Sequence, residues 1–358
     1  MNNQLVGRRD GDPYPFDPAV YIDYGRPLLY LGFCPDPSWD FLEREYPEGK
    51  LLPGPFVIEL SDNMYTAKSQ VKPIIITGIP DPGHDFLEAS SLRKKNNRYY
   101  FIYSSQNSHE LCYAISDDPT GPFEYKGVIH DNGDIGLEDV TEENRRAYTG
   151  NNHGSLVELN GEWYIFGHRP TNYSVFSRQG IAEKVTVLEN GEIPQVEMTS
   201  YGLNGTYLIP SGRYGAYIAC HLTSASGAMH YLDNCTAPQF SSLRKDHPVL
   251  TQDGEDREND PGQYIRNMKD GATAGFKYFT ATDRITVKAF TRGAKGIFEI
   301  RTELNGEVKG IIHLNESSTF TASTSSEFNI GDKDHFALYF TYRGEGAVDF
   351  LEFELTQP

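Results

Sequence analysis

Over residues 1 to about 240, apolar positions recur as pairs of short runs separated by a polar turn, and three such pairs align without a gap. Asp17-Pro-Ala-Val-Tyr21, Glu88-Ala-Ser-Ser-Leu92 and Asn152-His-Gly-Ser-Leu156 place apolar or aromatic residues at Tyr21, Leu92 and Leu156, and seven residues later stand Leu28, Tyr99 and Trp163. The intervening turns are Asp23-Tyr-Gly-Arg26, Lys94-Lys-Asn-Asn97 and Glu158-Leu-Asn-Gly161, and the second arms run on as Leu28-Leu-Tyr-Leu31, Tyr99-Tyr-Phe-Ile-Tyr103 and Trp163-Tyr-Ile-Phe166. Each pair reads as a β-hairpin. The repeats start at residues 17, 88 and 152, a spacing that suits a four-stranded sheet with a long loop, as in propeller blades. In a propeller the first strand of every blade lines one channel, so Asp17, Glu88 and the Asn152-His153 pair are expected to converge.

Further strands are expected at Phe56–Leu60, Pro73–Ile76, Leu111–Ile115, Phe176–Ile181 and Lys184–Leu188. A hydrophilic stretch, Thr251–Gly262, follows, and a domain boundary is placed near 245, giving domains 1–245 and 246–358. The last block alternates at Arg284–Lys288, Gly296–Ile300, His335–Phe340 and Val348–Phe353, spaced as in a small β-sandwich. The expected fold class is all-β: a partial propeller of about three blades, then a jelly-roll-like sandwich. The 43 Tyr plus Phe, 34 Gly and 21 Pro among 358 residues agree with many strands and turns and little helix.

A formal charge of −18 argues against a nucleic-acid groove or an anionic membrane surface as partner. The chain shows neither a run of about 20 apolar residues nor an apolar signal core near Met1, which predicts a cytoplasmic location. Cys34, Cys112, Cys220 and Cys235 lack metal or disulfide-scaffold spacing and read as reduced thiols.

Among candidate chemistry, Glu88 comes first. A carboxyl at the channel end of an inner strand beside Phe86 and Leu87 is partly desolvated, which favours its protonated form and suits a general acid. Asp17 supplies a second carboxyl in the same funnel, and two carboxyls across a polar pocket are what glycoside hydrolysis requires. An Asp before Pro commonly caps a turn and a lone Glu at a strand start is commonly solvated; the register shared by three repeats favours the site. His153, followed by Gly154, either orients water or a cation in the channel or bonds to backbone. Arg169 offers a guanidinium fork to sugar hydroxyls or to a surface carboxylate. Asn152 and Ser105 are further substrate-binding candidates, with Asn107, Ser108 and His109 at the rim. Phosphate loops, HExxH and GxSxG are not found.

These segments, Phe16-Asp-Pro-Ala-Val-Tyr-Ile-Asp23, His84–Arg93, Tyr99–Ser105 and Thr149–Val157, resemble glycoside hydrolase family 43, five-bladed propellers that include α-L-arabinofuranosidases and β-xylosidases. The tail, with Tyr264, Asp270–Ala272, Gly275–Phe279 and His335–Phe340, resembles the family 6 carbohydrate-binding sandwich. The resemblance implies Glu88 as general acid and Asp17 as the aspartate that tunes it and orients substrate, by an inverting route. It implies no required cofactor, and a structural calcium held through water by His153. It also implies a base Asp in a segment ahead of the Asp17 motif, with two blades before it, so that activity of this chain alone is expected to be impaired. The implied ligand is an arabinose- or xylose-containing oligosaccharide of plant polysaccharide, and a separate N-terminal fragment or a second copy is an expected partner for unpaired blade edges. A non-catalytic carbohydrate-binding protein is the alternative, and a scaffold the third. The sandwich aromatics Tyr264, Phe276, Tyr278, Phe279, Tyr339 and Tyr342 read equally as core or as a sugar platform.

Overall fold

The computed structural model describes residues 6, 11–35, 51–234, 244–253 and 262–358. The proline-rich loop over 36–50, most of the hydrophilic linker (254–261), Cys235 and nearly all of the segment ahead of residue 11 lie outside the described residues. The chain divides into two compact units: Met1–Asp131 with Asn152–His168 and Lys184–Val196, and Asn132–Asn151 with Arg169–Glu183 and Glu197–Pro358. Among the described residues no helix is long and apolar enough to cross a membrane.

The three expected hairpins are present. The first opens a sheet ordered β1 (Ala19–Asp23), β2 (Arg26–Phe33), β3 (Gly54–Glu59), β4 (Lys72–Pro73). A second sheet runs β5 (Ile76–Thr77), β9 (Phe123–His130), β8 (Leu111–Ser116), β7 (Arg98–Ser105), β6 (Phe86–Lys95), and a third runs β10 (Ser155–Leu159), β11 (Glu162–Asn172), β12 (Ser174–Val185). Each hairpin closes on two residues with positive φ, Tyr24-Gly25, Asn96-Asn97 and Asn160-Gly161. This left-handed pair matches the twist of the flanking strands, and Gly and Asn adopt it most readily.

The gap-free alignment needs a correction. Lys95 pairs with Arg98 and Leu159 with Glu162, so the second and third turns lie one residue later than expected, whereas the first lies at Asp23–Arg26 as expected. In the second hairpin the extra length is taken up by register shifts on either side of Glu88.

Alternation explains how the middle sheet is held. On β7, Tyr99, Phe101 and Tyr103 point one way and pack with Leu28, Tyr30 and Val57 of the first sheet. Tyr100 and Ile102 point the other way and pack with Leu156, Trp163 and Ile165 of the third. Tyr hydroxyls buried in these layers find acceptors, as in Tyr30 to the Pro119 carbonyl at 2.7 Å and Tyr99 to Asp23 Oδ1 at 2.7 Å.

The second unit holds β13 (Gly212–Gly215), β14 (His221–Thr223), β15 (Val249–Asp253), β16 (Gly262–Lys269), β17 (Thr273–Thr280), β18 (Arg284–Gly293), β19 (Gly296–Arg301), β20 (Gly310–Leu314), β21 (Ser317–Thr324), β22 (Phe328–Asn329), β23 (His335–Arg343) and β24 (Ala347–Thr356). One sheet is ordered β15-β16-β24-β18-β21, with β13 on β24 and β22 on β18; the other is β14-β17-β23-β19-β20. The four strands expected in the last block lie in β18, β19, β23 and β24. Because β13 pairs with β24 and β14 with β17, the boundary expected near 245 falls inside this unit. Of the six sandwich aromatics, five are buried, and only Tyr278 is partly exposed, so this set is mainly core.

A buried charge network also lies here. Lys277 Nζ donates to Asp134 Oδ2 at 2.9 Å and to Glu197 Oε1 at 2.6 Å, and Tyr278 donates to Glu197 Oε2 at 2.7 Å. Burial opposes charge on Lys277, but the Cys220 thiol and the Asp134 and Glu197 carboxyls hold its pKa well above the ordinary value.

Candidate active site

In the first unit, the starts of the three hairpins border one open cleft of about 300 Å³, lined by Ala19, Ser90, Ser91, His153, Ser155 and Phe166 among others. Asp17 and Glu88 each stand two residues before a lining residue, Ala19 and Ser90. Ser91 and Ser155 from the second and third hairpins touch, their hydroxyl oxygens 2.7 Å apart.

Local backbone aims the acidic side chains. Asp17 has φ 44° and Ala89, next to Glu88, has φ 67°. Non-glycine residues held in this region cost roughly 1–3 kcal/mol each and collect at functional sites. On β6, Phe86 pairs with Ser105, Glu88 with Ser104 and Ser91 with Ile102, so bulges flank Glu88. A bulge bends its strand and re-aims a side chain, and the Glu88 side chain is largely but not wholly buried.

Asp17 and His153 are brought together, with Oδ2 and Nδ1 3.6 Å apart. His153 can lie this close to the first hairpin because Gly154 follows it: a β-carbon there would stand 2.0 Å from the Phe166 carbonyl oxygen. Glu88 has a different neighbour, His109, whose Nε2 lies 3.7 Å from Glu88 Oε1. His109 was expected only at the rim; it is buried beside the candidate acid. Ser108 and His109 both have positive φ, 52° and 60°, a turn conformation that side-chain patterning does not reveal.

Three residues expected to contact sugar make hydrogen bonds within the protein. Asn152 is buried; its carbonyl accepts from Ser104 Oγ at 2.5 Å and its Oδ1 from the His168 N–H at 3.2 Å. Ser105 is buried and donates to the Asn107 carbonyl at 3.2 Å. Arg169 belongs to the second unit, where its guanidinium is buried and donates to Gln179 Oε1 and to the Tyr217 and Ala219 carbonyls. Burial lowers its pKa to about 10. Ser90 was not singled out from the sequence. The residue borders the cleft, and its buried hydroxyl has no hydrogen-bond partner among the described residues. The only sequence signal was its place two residues after Glu88.

Calcium takes six to eight oxygen ligands. Among the described residues no group of three or more His, Cys, Asp or Glu side chains is arranged to hold a metal ion. His153 and Asp17 alone do not amount to a direct calcium shell.

The model of glycosyl hydrolases family 43 matches residues 11–193. The chain is 45% identical to a xylosidase/arabinosidase of Thermoclostridium stercorarium, over 98% of this chain and 72% of that protein. It spans about half the length of three other curated relatives. Among solved structures it is similar to a glycoside hydrolase family 43 arabinoxylan arabinofuranohydrolase from Bacillus subtilis in complex with cellotetraose, at 19% identity and a TM-score of 0.46, covering 96% of this chain and 67% of that one. It is also similar to a family 6 carbohydrate-binding module from Clostridium cellulolyticum in complex with xylose, at 11% identity and a TM-score of 0.32, covering 42% of this chain and 100% of that module.

Proposed function

This chain belongs to glycosyl hydrolase family 43, and from that premise we propose that its first unit carries the acid half of a glycosidase site for arabinose- or xylose-containing oligosaccharides. The observation that carries this reading is the shared cleft where the starts of all three hairpins meet, its lining residues Ala19 and Ser90 each two positions after Asp17 and Glu88. Glu88 protonates the departing glycosidic oxygen, and His109 beside it fixes the carboxyl's direction. Asp17, paired with His153, orients the sugar and sets the local field that keeps Glu88 protonated. Ser90 bonds a sugar hydroxyl. The route is inverting: a further carboxylate, contributed from sequence ahead of the Asp17 motif, activates water on the opposite sugar face, with about 6.5–9.5 Å between it and the acid.

The test uses aryl α-L-arabinofuranosides and β-D-xylosides with poor and good leaving groups, on the full chain. Glu88→Gln should lower turnover of the poor leaving group by about 10²–10⁴-fold and spare a dinitrophenyl glycoside, which departs without a proton. Equal losses on both substrates, or no loss, reject Glu88 as acid. Proton NMR of the first-formed sugar anomer decides inversion.

A further inference from the structure

The turn that brings His109 to Glu88 is strained. Residues 106–110 join β7 to β8, and within them Ser108 and His109 both take the left-handed region, with φ 52° and 60°. Non-glycine residues keep that conformation only where their surroundings over-determine it. Glu110 supplies much of the restraint. Its backbone N–H donates to the Asn107 carbonyl at 3.1 Å and its Oε1 accepts from Asn107 Nδ2 at 3.0 Å, so backbone and side chain both close the turn across the two left-handed residues. Ser105 Oγ donates to the same carbonyl at 3.2 Å.

The Glu110 side chain is only 4% exposed, and a carboxylate buried to that extent has to be paired and hydrogen-bonded. Asn107 serves Oε1, and His84 Nε2 lies 3.5 Å from Oε2. His84 is itself held from three directions. Its Nδ1 lies 2.9 Å from Asp81 Oδ2, its carbonyl accepts from the buried Tyr103 hydroxyl at 2.8 Å, and its ring centroid lies 5.9 Å from that of Tyr125. The single helical turn that bears it, Pro82–His84, is joined to the strained turn, the Asn107 N–H donating to the Gly83 carbonyl at 2.7 Å. Glycine permits this approach: a β-carbon on Gly83 would stand 2.9 Å from Asp81 Oδ1 and 3.4 Å from Asn107 Cβ.

We infer that His84 and Glu110 are positioning residues for the acid: the imidazole backs the Glu110 carboxylate, the carboxylate holds the Ser108–His109 turn, and the turn keeps His109 Nε2 at 3.7 Å from Glu88 Oε1. The inference rests on the reading of Glu88 as general acid given above. Neither residue belongs to the cleft lining, so both act on the reaction through His109.

Imidazole NMR of the full chain, isotope-labelled at histidine, tests the inference without turnover. The His109 ring signals are identified by their loss in His109→Gln. Glu88→Gln should shift them in the parent chain, and the same replacement should leave them unmoved within a linewidth when His84→Ala is also present. His84→Gln, which keeps a donor toward Glu110, should restore part of the response. The His84 side chain is 23% exposed, and thermal melts check that its replacement spares the fold. Glu110→Gln, nearly the same size as the native side chain, should also suppress the response, so the test does not hang on the stability of one variant. In kinetics, His84→Ala should lower kcat on poor leaving groups by about tenfold with KM within about twofold. A His109 signal that still answers Glu88→Gln in either variant, or that never answers it in the parent, overturns the inference. Equal losses on good and poor leaving groups in Glu88→Gln reject the acid instead, and leave the NMR response to judge the brace by itself.

Discussion

Glu183→Gln should change how the second unit's stability depends on pH. Glu183 is buried, its Oε1 accepting the Thr199 N–H and its Oε2 the Thr199 hydroxyl, both at 2.6 Å. Burial pushes its pKa from 4.5 to about 7; the Thr199 bonds oppose that shift and the Asp134 charge adds to it. Since the folded carboxyl holds its proton more tightly than the unfolded one, its contribution is fully present below pH 4.5 and is lost as pH rises through about 7. The whole shift corresponds to about 3.4 kcal/mol, of which about 2.5 kcal/mol accrues between pH 5 and pH 8.5. The amide keeps an acceptor for the Thr199 N–H and cannot ionise, so the difference in stability between variant and parent should grow by about 2.5 kcal/mol in the variant's favour across that range. Urea titrations at pH 5, 6.5 and 8.5, followed by amide exchange in β17 and β23, measure it. Titrating groups that do not interact with Glu183 cancel in the difference. A difference that stays flat with pH, or shrinks as pH rises, refutes the reasoning.

Lys277→Met leaves Asp134 buried without its ammonium and should cost about 3–5 kcal/mol, while Lys277→Met with Asp134→Leu should recover most of the loss; thermal melts compare the two. Gly154→Ala drives a methyl into the Phe166 carbonyl, so a stability loss of about 2 kcal/mol or more is expected in denaturant titration, together with displacement of His153. Asn97→Val at φ 63° should destabilise the second hairpin by about 1–2 kcal/mol, whereas Asn97→Gly should be neutral or better. His109→Ala should lower kcat on poor leaving groups by about tenfold or more with KM little changed, and an unchanged kcat would remove His109 from the site.

The hairpins were legible because their causes are local. Alternation of Tyr99 to Tyr103 and the Asn- or Gly-bearing turns are written in consecutive residues. The bulges beside Glu88 were not, since an inserted residue leaves the apolar pattern nearly intact while shifting the register by one. β13 and β14 were missed for a related reason: at four and three residues they are too short to show a period, and their pairing with β24 and β17 depends on distant sequence. Glu88, Asp17 and His153 were singled out through their repeated position, and the structure sets Asp17 beside His153. His109 was underrated because its approach to Glu88 depends on two left-handed residues. Asn152, Ser105 and Arg169 carry the right chemistry for sugars, but the fold uses their donors and acceptors to join its own strands. The pair Lys277–Asp134 spans 143 residues, a distance at which single-sequence reading has no signal.

β7 has no wet side. A strand lodged between two apolar layers is gripped from both flanks, so the arm paired to it, which ends at Glu88, inherits a fixed position that its own bulged backbone would not supply. Rotation of either neighbouring sheet would be felt at the acid as a change in aim, and the tolerance of this hairpin to sequence drift is therefore set on both sides at once.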